Sequence, residues 1–384
     1  MFKLCSVYFP ASVGESSMER KQSSVVATPA GSVGVKRRSK RKSYRLSYRS
    51  SLGAASRLCP ATAVTTRRLN TSRKAPKSHN ITENVSPEHL ALLMKTEWQL
   101  SYVTPLYQFR HTQLKNYSRQ LAAFIAAERQ QGLAVEVEGP HGSFKVSICV
   151  LQGMVVTDDD AETVLIQVQS RPVFAKPDEP QKPVWSGWLS CIGGNAEYLR
   201  SLPEDFTCLP LFCSHGPEGL TSAIKSWFQR NFDCSFGPLE LSHVSLQWLM
   251  ALWTNCHAES GIQHLKMIWS VPVAPPLQVT YMVDPQDAWA LWDSLRNSQR
   301  HSKNALGELE EDNIDLEEVM MFIQELKSHF YRHFRVDLSA GSLNQVSTAL
   351  GSAKCNGRIK ISNSRYMITT LMLLTECALL KMPV

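Results

Sequence analysis

Residues 264–292, HLKMIWSVPVAPPLQVTYMVDPQDAWALW, decide the fold class. His264 to Val271 and Leu277 to Val283 alternate apolar and polar positions, which predicts two β-strands separated by a proline-rich break. Asp284-Pro285 then supplies an N-cap residue and a proline at the first helical position, so a helix is expected to begin there. Grouped strands with helices before and after them are typical of the α+β class.

The same periodicities extend over the chain from Ser86 onward. Ser86-Pro87 repeats the N-cap and proline signature. Helices are predicted at 86–98, 112–131, 222–232 and 315–334, strands at 133–137, 144–150, 164–168, 184–192, 341–350 and 358–362, and a polar connector at 297–313. Residues 365–380 fit either a helix or a buried strand. We therefore predict that residues 86–384 form one α+β domain, with a largely antiparallel sheet flanked by helices.

Residues 1–85 differ in composition from the rest of the chain. They hold 17 Lys and Arg against 3 Asp and Glu, a net charge of +14. Residues 86–384 hold 24 against 31, a net charge of −7, so the total of +7 describes neither part. A polar, basic segment buries too little apolar surface to offset its conformational entropy. We therefore predict that residues 1–85 form a disordered basic N-terminal tail.

The stretch KRRSKRKSYRLSYR at 36–49 holds eight basic residues and no acid. Two interpretations stay open, a nuclear import signal and a phosphate-binding arm without sequence preference. The cations concerned are Lys36, Arg37, Arg38, Lys40, Arg41 and Lys42. The Arg- and Ser-rich composition of residues 1–80 also fits a mitochondrial presequence. Thr28, which precedes a proline, is a candidate phosphorylation site.

The sequence shows no motif typical of an enzyme. It contains no GxxxxGK[ST] loop, no GxGxxG after a strand and no GxSxG elbow. It also lacks an apolar run long enough to cross a bilayer. Its ten cysteines include no CxxC pair, which favours reduced, buried thiols of an intracellular protein. We therefore expect no enzymatic activity, no cofactor or metal, and neither a membrane nor a small-molecule partner.

Several clusters of possible metal ligands have a simpler structural interpretation. His329 and His333 share a helix face without a carboxylate between them, which favours a surface or partner-facing pair. Residues 158–160, three aspartates, are expected in a solvated hairpin loop. The cysteines and histidine of 208–215 lack a second ligand pair. The acidic run 308–318 is expected to lead into a helix N-terminus, or alternatively to receive the basic tail.

Six stretches of the sequence resemble the centromere protein L family of vertebrates. They are WQLSYVTPLYQFRHTQLKNYSRQLAAFIAAERQQGLAVEV at 98–137, EDFTCLPLF at 204–212, WSVP at 269–272, ALWDS at 290–294, SHFYRHF at 328–334 and ERKQSSVVATPAG at 19–31. Residues 1–18 and the basic insertion around 36–80 are unlike the family. The resemblance implies a non-enzymatic subunit of the constitutive centromere-associated network, at the kinetochore of the centromere in the nucleus.

The resemblance also implies partners. Members of this family are expected to form a heterodimer with centromere protein N, which reads nucleosomes containing centromere protein A. They are expected to help assemble kinetochores for chromosome segregation in mitosis. A rival hypothesis is a standalone nuclear protein that binds nucleic acid through its basic tail, although the net charge of −7 on residues 86–384 argues against it. An enzyme assembled from residues outside known motifs is a third hypothesis.

Two surface hypotheses follow from the residues themselves. The apolar C-terminal segment is either a partner interface or an internal core element, and the interface residues would be Tyr366, Ile368, Leu371 and Leu374. The Asn356-Gly357 turn predicts a hairpin whose second strand directs Arg358 and Lys360 to one side. The candidate contacts to DNA phosphates next to the nucleosome are Lys354, Arg358, Lys360 and Arg365. A solvated hairpin without a ligand is the alternative.

Overall fold

The computed structural model of the chain describes residues 6–8, 69–75, 85–130, 144–170, 182–256, 263–273, 275, 277–304 and 313–383. The α-helices in these ranges are α1 Pro87–Lys95, α2 Leu114–Gln130, α3 Ala196–Ser201, α4 Glu218–Phe232, α5 His243–Asn255, α6 Pro285–Asn304, α7 Leu316–Phe334 and α8 Met367–Lys381. The N-cap at Ser86 is confirmed, because its Oγ accepts a hydrogen bond from the His89 N–H. The predicted connector at 297–313 is wrong up to Asn304, where α6 ends.

The strands in the same ranges are β1 Ser6–Tyr8, β2 Ser72–Lys74, β3 Glu97–Val103, β4 Leu106–Tyr107, β5 Lys145–Leu151, β6 Thr163–Ser170, β7 Lys182–Ser190, β8 Phe206–Thr207, β9 Leu211–His215, β10 Phe236–Pro238, β11 Leu265–Val271, β12 Leu277–Val283, β13 Asn313–Asp315, β14 Ser342–Thr348, β15 Gly351–Lys354 and β16 Arg358–Ile361. Glu97 and Trp98 belong to β3 and not to the first helix, which corrects the prediction. The predicted strand at 133–137 lies outside the described residues.

One large sheet organises the fold. Its strand order is β1-β12-β11-β14-β15-β16-β3-β9-β7-β6-β5, and β10 pairs with β3. The recorded pairings in this sheet are antiparallel. The predicted α+β class with a largely antiparallel sheet is therefore confirmed.

The two faces of the sheet carry separate cores. Along β9, Leu211 and Cys213 belong to one hydrophobic cluster and Phe212 to another. Because successive side chains of a strand point to opposite faces, the clusters lie on opposite sides of the sheet. The larger cluster joins the sheet to α5, α6, α7 and α8, and the smaller one joins it to α2 and α4.

The smaller cluster involves β5, β6, β7 and β9, and none of the described helices packs on the opposite half of the same face. Polar side chains from β11, β12, β14, β15 and β16 occupy this half, and each is exposed or half-buried. Their cross-strand registers place them side by side. We call this surface the open sheet face, and its polar members are Lys266, Ser270, Gln278, Thr280, Gln345, Ser347, Ser352, Lys354, Arg358 and Lys360.

Ordered structure begins before Ser86, which corrects the predicted boundary between tail and domain. Strand β2 pairs with β13. Arg73 on β2 forms an ion pair with Glu376 of α8 and lies 5.0 Å from the centre of the Trp248 ring. The backbone N–H of Asn70 also donates to Glu376 Oε1, at 2.7 Å. This short segment therefore packs on the core through charged contacts that the local sequence does not reveal.

Candidate functional site

The hairpin predicted around Asn356-Gly357 is confirmed. Its turn is held by hydrogen bonds from two other segments of the same chain. Gly357 has a φ of +76°, a conformation that suits glycine. Its carbonyl accepts from the Leu100 N–H at 2.8 Å, and the Cys355 carbonyl accepts from the Leu241 N–H at 2.9 Å. The turn is therefore part of the packed structure, and it holds β15 and β16 in a defined position on the open sheet face.

The four predicted DNA contacts divide into three on the strands and one beyond them. Arg358 and Lys360 are exposed, while Ile359 between them is buried, so they point to the same side as predicted. Lys354 forms an ion pair with Glu97 at 2.7 Å, a contact that the local sequence does not reveal. Arg365 is also exposed, but it lies in the connection between β16 and α8.

Further contacts set the electrostatics around these cations. The Arg358 Nε donates to Gln99 Oε1 at 3.4 Å, which orients the guanidinium along β3. Lys360 lies opposite Glu97 in the register of β16 and β3. Where α4 begins to cover this face, Lys225 donates to Ser101 Oγ at 3.0 Å, and burial lowers the pKa of its ammonium. The open sheet face thus combines exposed cations with neutral polar groups that suit phosphate contacts, and the acidic Glu97 lies beside Lys354 and Lys360.

The predicted partner-interface residues lie inside the protein. Ile368, Leu371 and Leu374 are at most 2% exposed and belong to the larger core cluster, and Tyr366 is half-buried against it. Residues 365–380, left undecided between helix and strand, are largely α8. Of the two alternatives for this segment, the core element describes its position in the fold. The three aliphatic side chains are not available to a partner in this structure.

The basic tail contributes no described residue to these sites. Lys36, Arg37, Arg38, Lys40, Arg41 and Lys42 lie outside the described residues, as does the candidate phosphorylation site Thr28. Their assignments therefore stay predictions from the sequence.

Asp160 has a role that the sequence did not indicate. Its side chain is 7% exposed, and its two oxygens accept four backbone N–H bonds, from Val156, Thr157, Gly193 and Gly194, at 2.9–3.3 Å. The expectation of a solvated loop is therefore wrong for this residue. The carboxylate links the loop before β6 to the loop after β7, because it accepts hydrogen bonds from backbone N–H groups of both loops. The Gly193-Gly194 pair is the only sequence signal for such a contact, and it is a weak one.

The histidine pair on α7 is confirmed as sharing one face. The rings of His329 and His333 lie 4.4 Å apart, and His329 Nδ1 is 2.8 Å from the hydroxyl of Tyr281. Burial, and secondarily the charges of His333 and Arg332, lower the pKa of His329. Within the described part of the chain, no group of three or more His, Cys, Asp or Glu side chains is arranged to hold a metal ion.

The cysteines in the described ranges are free thiols. Burial raises the pKa of Cys213, and burial likewise raises that of Cys234 to about 12. A hydrogen bond with Cys208, together with burial, raises the pKa of Cys191. Because the thiolate is the reactive form of cysteine, these groups are poor nucleophiles.

Comparison with known proteins gives a consistent result. The family model described as Centromere protein L matches residues 92–379. The chain belongs to the centromere protein L family. It is 56% identical over 320 residues to centromere protein L of Danio rerio, covering 83% of this chain and 84% of the relative. It is 41% identical over 298 residues to the Gallus gallus protein, covering 77% and 83%, and 41% identical over 308 residues to the Homo sapiens protein, covering 80% and 86%.

Membership of the centromere protein L family confirms the resemblance carried by the aromatic stretches. Trp98, Trp269 and Trp292, which lie in those stretches, are core residues at most 3% exposed. In these three stretches, the tryptophans that contribute to the resemblance are therefore packing residues. Family membership assigns the chain a role at the centromere. None of the described helices has the length and apolar character needed to span a bilayer.

Proposed function

We propose that this chain is a non-catalytic kinetochore scaffold subunit of the constitutive centromere-associated network. It forms a heterodimer with centromere protein N and helps assemble kinetochores on nucleosomes containing centromere protein A, in the nucleus, for chromosome segregation in mitosis. The observation that carries this proposal is the 56% identity to a centromere protein L over 83% of the chain. The absence of catalytic motifs from the sequence supports a structural role.

Copurification tests the scaffold role. Tagged full-length chain would be isolated from interphase and mitotic chromatin, and centromere protein N and centromere protein A would be quantified in both samples. We expect centromere protein N in near-equal molar amount, and centromere protein A nucleosomes above the level of bulk nucleosomes. Recovery of the chain without centromere protein N, or with bulk nucleosomes only, would contradict the proposal.

We further propose that the open sheet face contacts DNA phosphates beside the nucleosome. Arg358 and Lys360 carry this proposal, because both are exposed and lie two residues apart on β16. Lys354 and Arg365 lie on either side of them in the sequence, although Lys354 forms an ion pair with Glu97. An antiparallel sheet surface with exposed cations and neutral polar neighbours can contact a phosphate backbone without reading bases.

Charge reversal tests the DNA contact. The double variant Arg358→Glu and Lys360→Glu should weaken duplex binding by the complex with centromere protein N. The slope of log affinity against log salt should fall by about 1.8, since each phosphate contact contributes about 0.9. The matched control is Lys115→Glu with Arg119→Glu on the exposed side of α2. Equal affinity and slope for the wild-type and Arg358/Lys360 complexes would reject the contact.

The basic tail is proposed as an import signal or a phosphate-binding arm. Alanine at the six cations of residues 36–42 should reduce nuclear accumulation if they direct import. The same change should lower DNA affinity in vitro if they act as an arm. Unchanged localisation together with unchanged affinity would reject both roles. Mass spectrometry of mitotic material would test Thr28, and an unmodified Thr28 would remove it as a phosphorylation site.

A further inference from the structure

A groove on the helical side of the sheet has the features of a peptide-binding site. Its volume is about 350 Å³, which is within the usual range of ligand pockets. The first turn of α5, one side of α7, Trp269 of β11 and the beginning of β14 line it. We call it the α5–α7 groove. It lies away from the open sheet face, since Trp269 belongs to the larger core cluster on the opposite side of the sheet.

The walls of the α5–α7 groove are mainly apolar. Val244, Leu316 and Leu343 line it together with the ring of Trp269. Met320 also lines it and is 59% exposed, which makes it the most exposed large apolar side chain of the described residues. A flexible, exposed methionine beside an apolar floor is typical of surfaces that receive a partner side chain.

The lining of the α5–α7 groove contains a lysine and no carboxylate. Among its lining residues the ionisable side chains are Lys327 and His243, and no carboxylate is present. The Lys327 ammonium lies 5.1 Å from the centre of the Trp269 ring. Asp337, outside the lining, acts on Lys327 electrostatically but already accepts the Ser339 N–H at 2.7 Å. A half-buried ammonium gains more from an incoming carboxylate than a fully hydrated one does.

Two further features of the same walls favour an occupant that brings acceptors. The first turn of α5 contains no acidic residue, so the positive end of its dipole has no carboxylate from its own helix. The indole N–H of Trp269 is buried and has no acceptor among the described residues. The first turn of α5 and Trp269 line the groove together with Lys327 of α7.

From the apolar floor, the exposed methionine and a lysine with no carboxylate among the other lining residues, we propose that the α5–α7 groove binds an acidic peptide segment of a partner protein. An apolar side chain of that segment packs on Met320 and Trp269, and a neighbouring carboxylate pairs with Lys327. The proposal is independent of the kinetochore role and of the DNA contact on the open sheet face. It assigns this side of the protein to a protein partner.

Fluorescence anisotropy with two labelled peptides tests the proposal on the full-length chain. The probe is a peptide of about ten residues that alternates Glu and Leu, and its matched control carries Gln in place of Glu. We expect saturable binding of the Glu peptide and at least about fivefold weaker binding of the Gln peptide. Equal affinity for the two peptides, or no saturation up to about 1 mM, would overturn the proposal.

Variants then locate the binding. Lys327→Glu and Met320→Glu should each lower the affinity for the Glu peptide about tenfold. Thermal unfolding checks that both variants are folded. Lys115→Glu on α2 and Val155→Glu, at another exposed apolar residue, make the same chemical changes elsewhere and should leave the affinity unchanged. Loss of peptide binding only in the control variants would place the site elsewhere. A concentration-dependent dimer that Met320→Glu abolishes would assign the groove to a second copy and reject the peptide.

Discussion

Asp160 offers a sharp test of how this fold is held together. Its buried carboxylate accepts four backbone N–H bonds, from Val156, Thr157, Gly193 and Gly194. Its neighbours Asp158 and Asp159 have the same side chain but different surroundings. Asp158 is exposed, and Asp159 forms an ion pair with the exposed Arg200. Alanine at each of the three positions therefore compares one chemical change in three environments.

The expected loss in free energy of unfolding follows from the hydrogen bonds or ion pairs that each substitution removes. A hydrogen bond to a charged group contributes about 1.5–3 kcal/mol, and four such bonds do not add because water enters the space left behind. We expect Asp160→Ala to lower the free energy of unfolding by about 3–5 kcal/mol, as for other buried charged groups that lose a partner. Asp159→Ala should have a small effect, because its ion pair is at the surface. Asp158→Ala should have none.

Urea unfolding followed by tryptophan fluorescence measures the series. With an m-value of about 3 kcal/mol per M, the midpoint of Asp160→Ala should fall by about 1 M or more. The urea midpoint of Asp160→Asn should lie between those of the wild type and Asp160→Ala, since the asparagine side chain keeps one acceptor oxygen. If the free energies of unfolding of Asp160→Ala and Asp158→Ala agree within about 1 kcal/mol, the four N–H groups do not depend on this carboxylate and the reasoning fails.

Three other predictions concern the core, the hairpin turn and the histidine pair. Leu371→Ala should cost about 3–4 kcal/mol in urea unfolding, because the side chain is fully buried; a stable variant that loses only its partner would restore the interface hypothesis. Gly357→Ala should cost about 1–3 kcal/mol, because φ is +76° and a Cβ would lie 2.3 Å from the Leu239 carbonyl oxygen; an unchanged midpoint would contradict this. The pKa of His329 is lowered from 6.5, so the unfolded chain binds the proton more readily, and stability should decrease as the pH falls from about 7 to about 5. His329→Gln should flatten this dependence, and an identical pH profile would exclude His329 as its source.

Local periodicity correctly predicted the strongly patterned helices and strands, whereas other described elements, including α3 and β9, were not predicted. Alternation identified β11 and β12, and the N-cap with proline signature located the starts of α1 and α6. The helix α5 was not predicted, because it is apolar on nearly all sides and shows no stripe. The C-terminal segment stayed ambiguous for the same reason, since α8 is buried around most of its surface. The sequence of a helix that is buried on all sides has no amphipathic pattern, so it does not indicate which side faces which neighbour.

The site predictions were limited by contacts between distant residues. Lys354 and Glu97 are 257 positions apart, so their ion pair was invisible until the order of β15, β16 and β3 was known. The α5–α7 groove was missed because its walls come from segments that meet only in the folded protein. The same-side placement of Arg358 and Lys360 was predicted correctly, because it depends only on the alternation of one strand.

The sequence by itself therefore determined the α+β class, the positions of the strongly patterned elements, the charge division at residue 85 and the family. These properties depend on local spacing, composition and long matching stretches, which do not require knowledge of neighbours in space. The tertiary structure decided that α8 is core, that Asp160 joins two loops and that Lys354 is neutralised by Glu97. It also decided which half of the sheet face the described helices leave uncovered. Such properties depend on which distant segments become neighbours, and the order of the strands sets that.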